Sequence, residues 1–123
     1  RGAAMQMSRK AMRLRIYIGE NDRHGSQPLY QAIVHRARSQ HLAGATVLRG
    51  PMGYGQSSRL HTAKILRLSE DLPIVIEIVD SADKINAFLT KLDQMNINGL
   101  VTLDPVQVLR YGRDPVVEDP PTQ

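Results

Sequence analysis

Hydrophobic and polar residues alternate strictly near the start of the chain. In residues 12–18 every second residue is apolar, and two arginines and a tyrosine lie between them. A period of two predicts a strand with one buried face. Residues 45–49 predict a second strand, and residues 73–79 predict a third, whose nearly continuous apolar run is typical of the centre of a sheet. A fourth strand is predicted over residues 100–111, bent or bulged at Pro105 and therefore at a sheet edge.

Two segments between these strands have the period of an amphipathic helix. The first covers residues 27–42, with Ser26 as the candidate N-cap and Gly44 placed to end the helix. The second begins after Ser81, another candidate N-cap, and is predicted to end at Asn98-Gly99. Its apolar stripe consists of Ile85, Phe88, Leu89 and Leu92.

The predicted element order is β-α-β-β-α-β. This order indicates an α+β, ferredoxin-like fold, with a four-stranded antiparallel sheet and two helices on one face. The other face of such a sheet has no helices, and we expect it to be buried against further copies of the chain. Residues 1–11 are predicted to be a flexible leader, 12–112 the folded domain and 113–123 a disordered, acidic, Pro-rich tail.

Composition narrows the possible functions. The chain has 123 residues, which fits one domain, and its 16 Lys and Arg against 12 Asp and Glu give a formal net charge of +4. It has no cysteine, which excludes disulfides, a thiolate nucleophile and a Cys-based zinc site. No apolar run could span a bilayer and no signal-peptide pattern is present, so we predict a cytoplasmic protein. The absence of a Lys/Arg block and the few aromatic residues argue against nucleic-acid binding.

The densest local signal is the Gly-rich segment at residues 44–55. Its glycines would allow the backbone to approach a phosphate closely, or they would simply make a wide turn between a strand and a loop. Arginines near this segment and in the last strand would bind an anion, or would form surface or intersubunit salt bridges. They are Arg49, Arg59 and Arg110.

Histidines and carboxylates give weaker signals. His35 and His41 lie on different faces of the predicted helix, and no carboxylate completes a metal site, so none is predicted. Asp80 and Asp83 flank the start of the second helix. A catalytic carboxylate pair is conceivable there, but favourable placement at a helix N-terminus explains both residues more simply.

Seven short motifs are spread over residues 14–111. They are Ile16-Tyr-Ile-Gly-Glu20, Gly44-Ala-Thr-Val-Leu-Arg-Gly50, Gly53-Tyr-Gly55, His61-Thr62, Leu72-Pro73, Ile76-Glu-Ile-Val-Asp80 and Gly99-Leu100. Together they resemble the PII-like proteins collected as domain-of-unknown-function family 190. The same motifs are more distantly similar to the PII nitrogen-regulatory proteins. Those are trimers of ferredoxin-like subunits that bind ATP or ADP between subunits and dock a flexible loop onto transporters or enzymes.

The resemblance implies a regulatory homotrimer, with ATP, ADP or AMP as an effector rather than a required cofactor and a membrane transporter or channel as the partner. The predicted ligand-binding residues are Thr46, Arg49, Gly50, Gly53, Tyr54, Gly55, Gln56 and Arg110. The predicted partner-contact loop, residues 53–62, includes Ser57, Ser58, Arg59 and His61. No catalytic residue is predicted.

Two features depart from the PII pattern. The PII proteins have a Gly/Lys-rich phosphate loop before the last strand, whereas residues 94–99 are shorter and contain no lysine. The loss of that cation and of backbone donors predicts weaker binding of a triphosphate. The modified loop tyrosine of some PII proteins also has no counterpart, because Tyr54 lies at the turn.

Two alternative functions remain open at this point. The first is a structural or divalent-metal-binding trimer that resembles the cation-tolerance proteins of the same fold. The second is a small nucleotide hydrolase, for which the sequence offers no recognisable pair of base and nucleophile. We therefore predict that the protein is not an enzyme.

Overall fold

A computed structural model describes residues 7–55, 61–62 and 71–118, with the backbone alone at 61–62. The elements in chain order are β1 (Lys10–Gly19), β2 (Arg23–His24), β3 (Gln27–Pro28), α1 (Leu29–Ser39), β4 (Thr46–Arg49), β5 (Met52–Gly53), β6 (His61–Thr62), β7 (Pro73–Asp80), α2 (Ala82–Gln94), β8 (Leu100–Gln107), β9 (Arg110–Tyr111) and β10 (Asp114–Pro115).

Four strands form one antiparallel sheet in the order β4-β7-β1-β8. With the two helices packed on one face, this arrangement confirms the predicted ferredoxin-like fold. The edge position of β8 is also confirmed. Its register with β1 runs unbroken from Lys10 opposite Gln107 to Tyr17 opposite Leu100. The predicted bulge at Pro105 is therefore wrong: at an edge, a residue without an N–H can lie on the outward side of the ladder and leave the register intact.

The core lies between the helices and the inward-facing residues of the two central strands. Leu14 and Ile16 on β1 and Ile76 on β7 are 0% exposed, as are Ile33 on α1 and Phe88 on α2. Alternate residues of β7 are buried and half-buried along its whole length. The half-buried residues of β7 therefore lie on the helix-free face of the sheet, opposite the core.

The ends of α1 differ from the prediction. The helix begins at Leu29 after Pro28, which makes no side-chain capping bond. The predicted N-cap Ser26 lies instead in the turn between β2 and β3, because pairing of those strands takes up the residues before the helix. The helix ends at Ser39, earlier than the predicted end at Gly44, and His41 just after it adopts the left-handed conformation (φ 62°).

Ser81 caps α2 as predicted, since its Oγ accepts a hydrogen bond of 3.3 Å from the backbone N–H of Lys84. The helix ends at Gln94, earlier than predicted, and Asn96 adopts the left-handed conformation (φ 53°). Gly99 has a different role: a Cβ there would collide with the backbone carbonyl of Tyr17. It is a close-approach residue at the start of β8.

The last predicted strand is in fact two elements. β8 ends at Gln107, and residues 110–115 form the β9–β10 hairpin, in which Tyr111 pairs with Asp114. The hairpin includes three residues of the predicted disordered tail, 113–115. Residues 119–123 lie outside the described part of the chain, and so do residues 64–68, whose sequence has the character of an extended segment. Arg9 joins this hairpin to the sheet, because its side chain donates to Gln107 Oε1 and to the carbonyl of Val116, each at 3.2 Å.

Replacing Phe88 by Ala tests the core. Phe88 is fully buried, and Leu89 beside it on α2 is only half-buried. We expect Phe88→Ala to lower the free energy of unfolding by about 3–5 kcal/mol through lost burial and a cavity, and Leu89→Ala to cost less than half as much. Urea unfolding at one fixed protein concentration measures both. Equal losses would contradict the described packing of α2.

Candidate ligand site at one end of the sheet

Three segments meet at the end of the sheet where β1 and β4 finish and β7 begins. The N–H of Glu20, just after β1, donates to the carbonyl of Leu72 at 2.8 Å. The N–H of Gly50, just after β4, donates to the carbonyl of Pro73, also at 2.8 Å. We call this junction the Gly50 corner. It brings predicted ligand residues from β4 and β5 beside the turn that follows β1.

The glycines of this corner differ in what a side chain at each position would contact. A Cβ on Gly50 would lie 2.9 Å from Pro73 Cγ, and one on Gly53 would lie 3.0 Å from the same atom. A Cβ on Gly55 would meet nothing within 4 Å among the described residues. Packing against a proline ring therefore explains Gly50 and Gly53 as turn residues, whereas only Gly55 leaves open backbone for a ligand to approach.

Arg49 forms an ion pair across the Gly50 corner. Its Nη2 lies 2.6 Å from Oε2 of Glu20, and the side chains are 54% and 24% exposed, respectively. Glu20 was not predicted as a site residue. The only hint in the sequence was its place at the end of the Ile16-Tyr-Ile-Gly-Glu20 motif, since its partner lies on a distant strand.

Thr46 and Arg49 lie on opposite faces of the edge strand β4. Thr46 is opposite Glu77 in the register, on the helix-free face, and Arg49 is opposite Ile74, on the helix face. Tyr54, which follows β5, is 73% exposed. The structure thus groups Arg49 with Gly50 and Gly53, and it places Thr46 on the other side of the sheet.

Arg110 lies at the far end of the sheet. Its Nη1 donates to the carbonyl of Arg113 at 2.8 Å, within its own hairpin. The hydroxyl of the next residue, Tyr111, donates to the carbonyl of Ala43 at 2.9 Å, and the N–H of Ala43 donates to Asp80 Oδ2 at 2.8 Å. Asp80 is the last residue of β7, whose first residue packs at the Gly50 corner. The length of β7, from Pro73 to Asp80, separates these two ends of the sheet by about 23 Å, at roughly 3.3 Å per residue. One subunit therefore cannot bring Arg110 to Arg49.

The structure describes only part of the predicted contact loop. Gln56, Ser57, Ser58 and Arg59 lie outside the described residues. The backbone of His61 pairs with Gly53, and Thr62 pairs with Met52. The two ends of the predicted contact loop are therefore joined by a short ladder, where the sequence predicted only irregular loop.

Asp80 has a structural role in the described fold. It is 5% exposed, and its two carboxylate oxygens accept from the N–H groups of Ala43 and Ser81 at 2.8 and 2.7 Å. These bonds join the segment before β4 to the start of α2, which favours a structural role for Asp80 over a role in a catalytic carboxylate pair. In the described part of the chain, no group of three or more His, Asp or Glu residues is placed to hold a metal ion.

The helix-free face combines an apolar row with two ion pairs. The row crosses all four strands in register through Leu48, Val75, Tyr17 and Leu100. Arg13 lies 2.7 Å from Asp104, and its hydrogen bond holds the pKa of that carboxyl below the usual value. Arg15 lies 2.8 Å from Glu77, whose hydrogen bond raises the pKa of the guanidinium. This face therefore offers apolar surface beside charges that are already paired.

Comparison with known proteins identifies the family. The model of the DUF190 family, described as "Uncharacterized ACR, COG1993", matches residues 11–108. The chain belongs to the DUF190 family. The UPF0166 protein of Aquifex aeolicus (strain VF5) is 38% identical over 96 residues, which cover 78% of this chain and 90% of that protein. A UPF0166 protein of Methanocaldococcus jannaschii is 35% identical over 102 residues, covering 82% and 94%.

Two solved structures share the fold of this DUF190 protein. CPII from Thiomonas intermedia K12, bound to ADP and bicarbonate, has a TM-score of 0.59 at 16% identity, over 82% of this chain and 90% of CPII. A second structure of CPII, described as a nitrogen regulatory PII-like protein and bound to ADP, AMP and bicarbonate, has a TM-score of 0.60 at 14% identity, with the same coverage. The predicted PII-like fold is confirmed. None of the helices within residues 7–55 and 71–118 is long and apolar enough to cross a membrane.

Alanine substitutions at Gly50 and Gly55 test whether the first glycine packs against Pro73 and the second has an open backbone. We expect Gly50→Ala to lower the free energy of unfolding by about 1–3 kcal/mol, because the new methyl group meets the Pro73 ring. Gly55→Ala should leave stability unchanged or raise it by up to about 1 kcal/mol, because the space is open and the unfolded chain loses entropy. Urea unfolding of both variants checks this, and a larger loss for Gly55→Ala would refute the assignment.

Proposed function

We propose that this DUF190 protein is a PII-like regulatory protein that binds an adenine nucleotide in clefts between the subunits of a homotrimer. The proposal is supported by its likeness in fold to CPII, which binds ADP, AMP and bicarbonate. The predicted ligand residues around the Gly50 corner and Arg110 supply the chemistry. The nucleotide is an effector, and the protein is not an enzyme.

The observation that carries the proposal is the separation of Arg49 from Arg110. The two arginines lie at opposite ends of the sheet within one subunit, with Arg49 half-exposed in its ion pair and Arg110 bonded to its own turn. A site that uses both must be assembled from neighbouring subunits. The apolar row on the helix-free face offers a surface for that assembly, since Leu48 is 50% exposed and Leu100 is 59% exposed.

The chemistry of the Gly50 corner favours a nucleotide with few phosphates. A guanidinium gives paired donors that suit a phosphate, and the open backbone at Gly55 allows close approach. The segment between α2 and β8 contains no lysine to neutralise a third phosphate. We therefore expect ADP or AMP to bind more tightly than ATP.

Regulation would act through the loop at residues 53–62. A ligand beside Gly53 and Gly55 lies at the base of this loop, and its binding would favour one loop conformation over others. The ordered loop would then contact a partner protein, for which a membrane transporter or channel is our proposal, from the cytoplasmic side. Ser57, Ser58, Arg59 and His61 are the proposed contact residues.

Titration calorimetry with ADP, AMP and ATP, with and without bicarbonate, tests the proposed site. We expect one nucleotide per subunit, and a rise of several degrees in Tm when ADP is present at about 100 times its Kd. Light scattering should give three subunits per particle. A protein that binds none of the three nucleotides would refute the proposal.

Gly55→Val should abolish ADP binding while leaving the trimer intact, because the branched side chain blocks the open backbone and its Cβ meets no atom of the described residues within 4 Å. Gly44→Val is the matched control: a Cβ at Gly44 also meets no described atom within 4 Å, but Gly44 precedes the opposite end of β4. Calorimetry and light scattering on both variants check this. Unchanged ADP affinity in Gly55→Val would remove Gly55 from the site.

Mixed trimers test whether the site is shared between subunits. Arg49→Gln and Arg110→Gln should each weaken ADP binding at least tenfold. When the two variants are unfolded and refolded together, some clefts receive a native Arg49 from one subunit and a native Arg110 from its neighbour. We expect a fraction of sites with wild-type affinity to return. If both arginines served the same subunit's site, mixing would restore none.

A further inference from the structure

We propose that Glu20 determines which anions the Gly50 corner accepts, by holding the Arg49 guanidinium and placing a negative charge beside it. This inference rests on the proposed function, because it concerns the same ligand site. Glu20 is outside the predicted ligand set, and its carboxylate forms the 2.6 Å ion pair with Arg49.

The carboxylate is the fixed member of the pair. The N–H of Glu20 donates to Leu72, the N–H of Gly19 donates to Asp22 Oδ2 at 3.0 Å, and the N–H of Asn21 donates to Asp71 Oδ1 at 2.7 Å. These bonds fix the turn that carries Glu20, whose side chain is 24% exposed. Arg49 lies on a short edge strand and is 54% exposed, so the guanidinium is the group that can swing toward a ligand.

Two consequences follow for a bound anion. A phosphate that recruits Arg49 must first replace the carboxylate, which lowers the affinity for any ligand of this arginine. Once Arg49 has turned, Glu20 stays behind as a nearby negative charge. Coulomb repulsion grows with the charge of the ligand, so Glu20 disfavours a triphosphate more than a monophosphate. Glu20 would then select nucleotides with fewer phosphates, in the same direction as the missing lysine before β8.

The test is a double-mutant cycle on ligand affinity, in which AMP, ADP and ATP are titrated into wild-type protein, Glu20→Gln, Arg49→Gln and the double variant. We expect Glu20→Gln to bind ADP about two to five times more tightly, the effect expected for losing one partly exposed ion pair. The gain should increase from AMP to ATP. In the Arg49→Gln background, the effect of Glu20→Gln should shrink, because no guanidinium remains to be released.

Two further variants control for charge and for folding. Asp93→Asn removes the same charge from an exposed position on α2 and should change ADP affinity less than 1.5-fold. Glu20→Asp keeps the charge but withdraws the carboxylate by one methylene, so it should tighten ADP binding less than Glu20→Gln does. It also serves as the test variant if Glu20→Gln does not fold.

The outcomes are distinct. If the wild type binds ADP and Arg49→Gln weakens it, but Glu20→Gln leaves the affinity unchanged or lowers it, Glu20 merely positions Arg49 and the inference is overturned. Equal gains for AMP and ATP would overturn the charge selectivity. If the wild-type protein binds none of the three nucleotides, the proposed function fails, and this inference fails with it.

Discussion

The pairing of β1 with β7 is the constraint on which the rest of the structure depends. Both strands place isoleucines on one face in a common register, and the two helices cover that face. Because side chains alternate along a strand, a slip of one residue would move the isoleucines to the helix-free face and bury arginines under Phe88. The same register fixes the outer strands: β4 pairs with β7, and β8 pairs with β1. The Gly50 corner and the β9–β10 hairpin, which carries Arg110, are therefore held at opposite ends of the sheet by the burial of the core.

Much of the fold could be predicted because the signals are local. Alternation in β1, the apolar run in β7 and the cap at Ser81 each depend on a few neighbouring residues. The errors arose where a nearby alternative competed with the pattern. Strand pairing between β2 and β3 took Ser26 away from the helix start, and His41 and Asn96 adopted left-handed conformations ahead of the expected glycines. Asn and His tolerate that conformation better than most residues, so composition alone did not settle where each helix ends.

Less of the candidate site could be predicted, because its contacts join distant segments. The glycines were visible in the sequence, but the reason for Gly50 and Gly53 is a proline ring on another strand. Arg49 was visible as a cation, but its carboxylate partner follows β1 and is reached only through the order of the strands. Arg110 was grouped with Arg49 by family resemblance, and only the sheet reveals that one subunit keeps them apart. In each case the missing information is a spatial relation between residues that are distant in the sequence.

In the proposed shared site, the distance between Arg49 and Arg110 would make ligand binding and assembly depend on each other. A ligand held by groups from two subunits binds the assembled form better than the separate subunits, and by linkage it must stabilise the assembly by the same free energy. The apolar row on the helix-free face would then have two effects. It would bury surface between subunits, and it would determine how closely one subunit's Arg110 approaches the next subunit's Gly50 corner. The ion pairs on that face restrict the packing, since Arg13 and Arg15 already have carboxylate partners within their own subunit. A neighbouring subunit can therefore cover them without having to supply a counter-charge. The proposed ligand would instead engage the arginines at the ends of the sheet, by replacing Glu20 as the partner of Arg49 and the Arg113 carbonyl as the partner of Arg110.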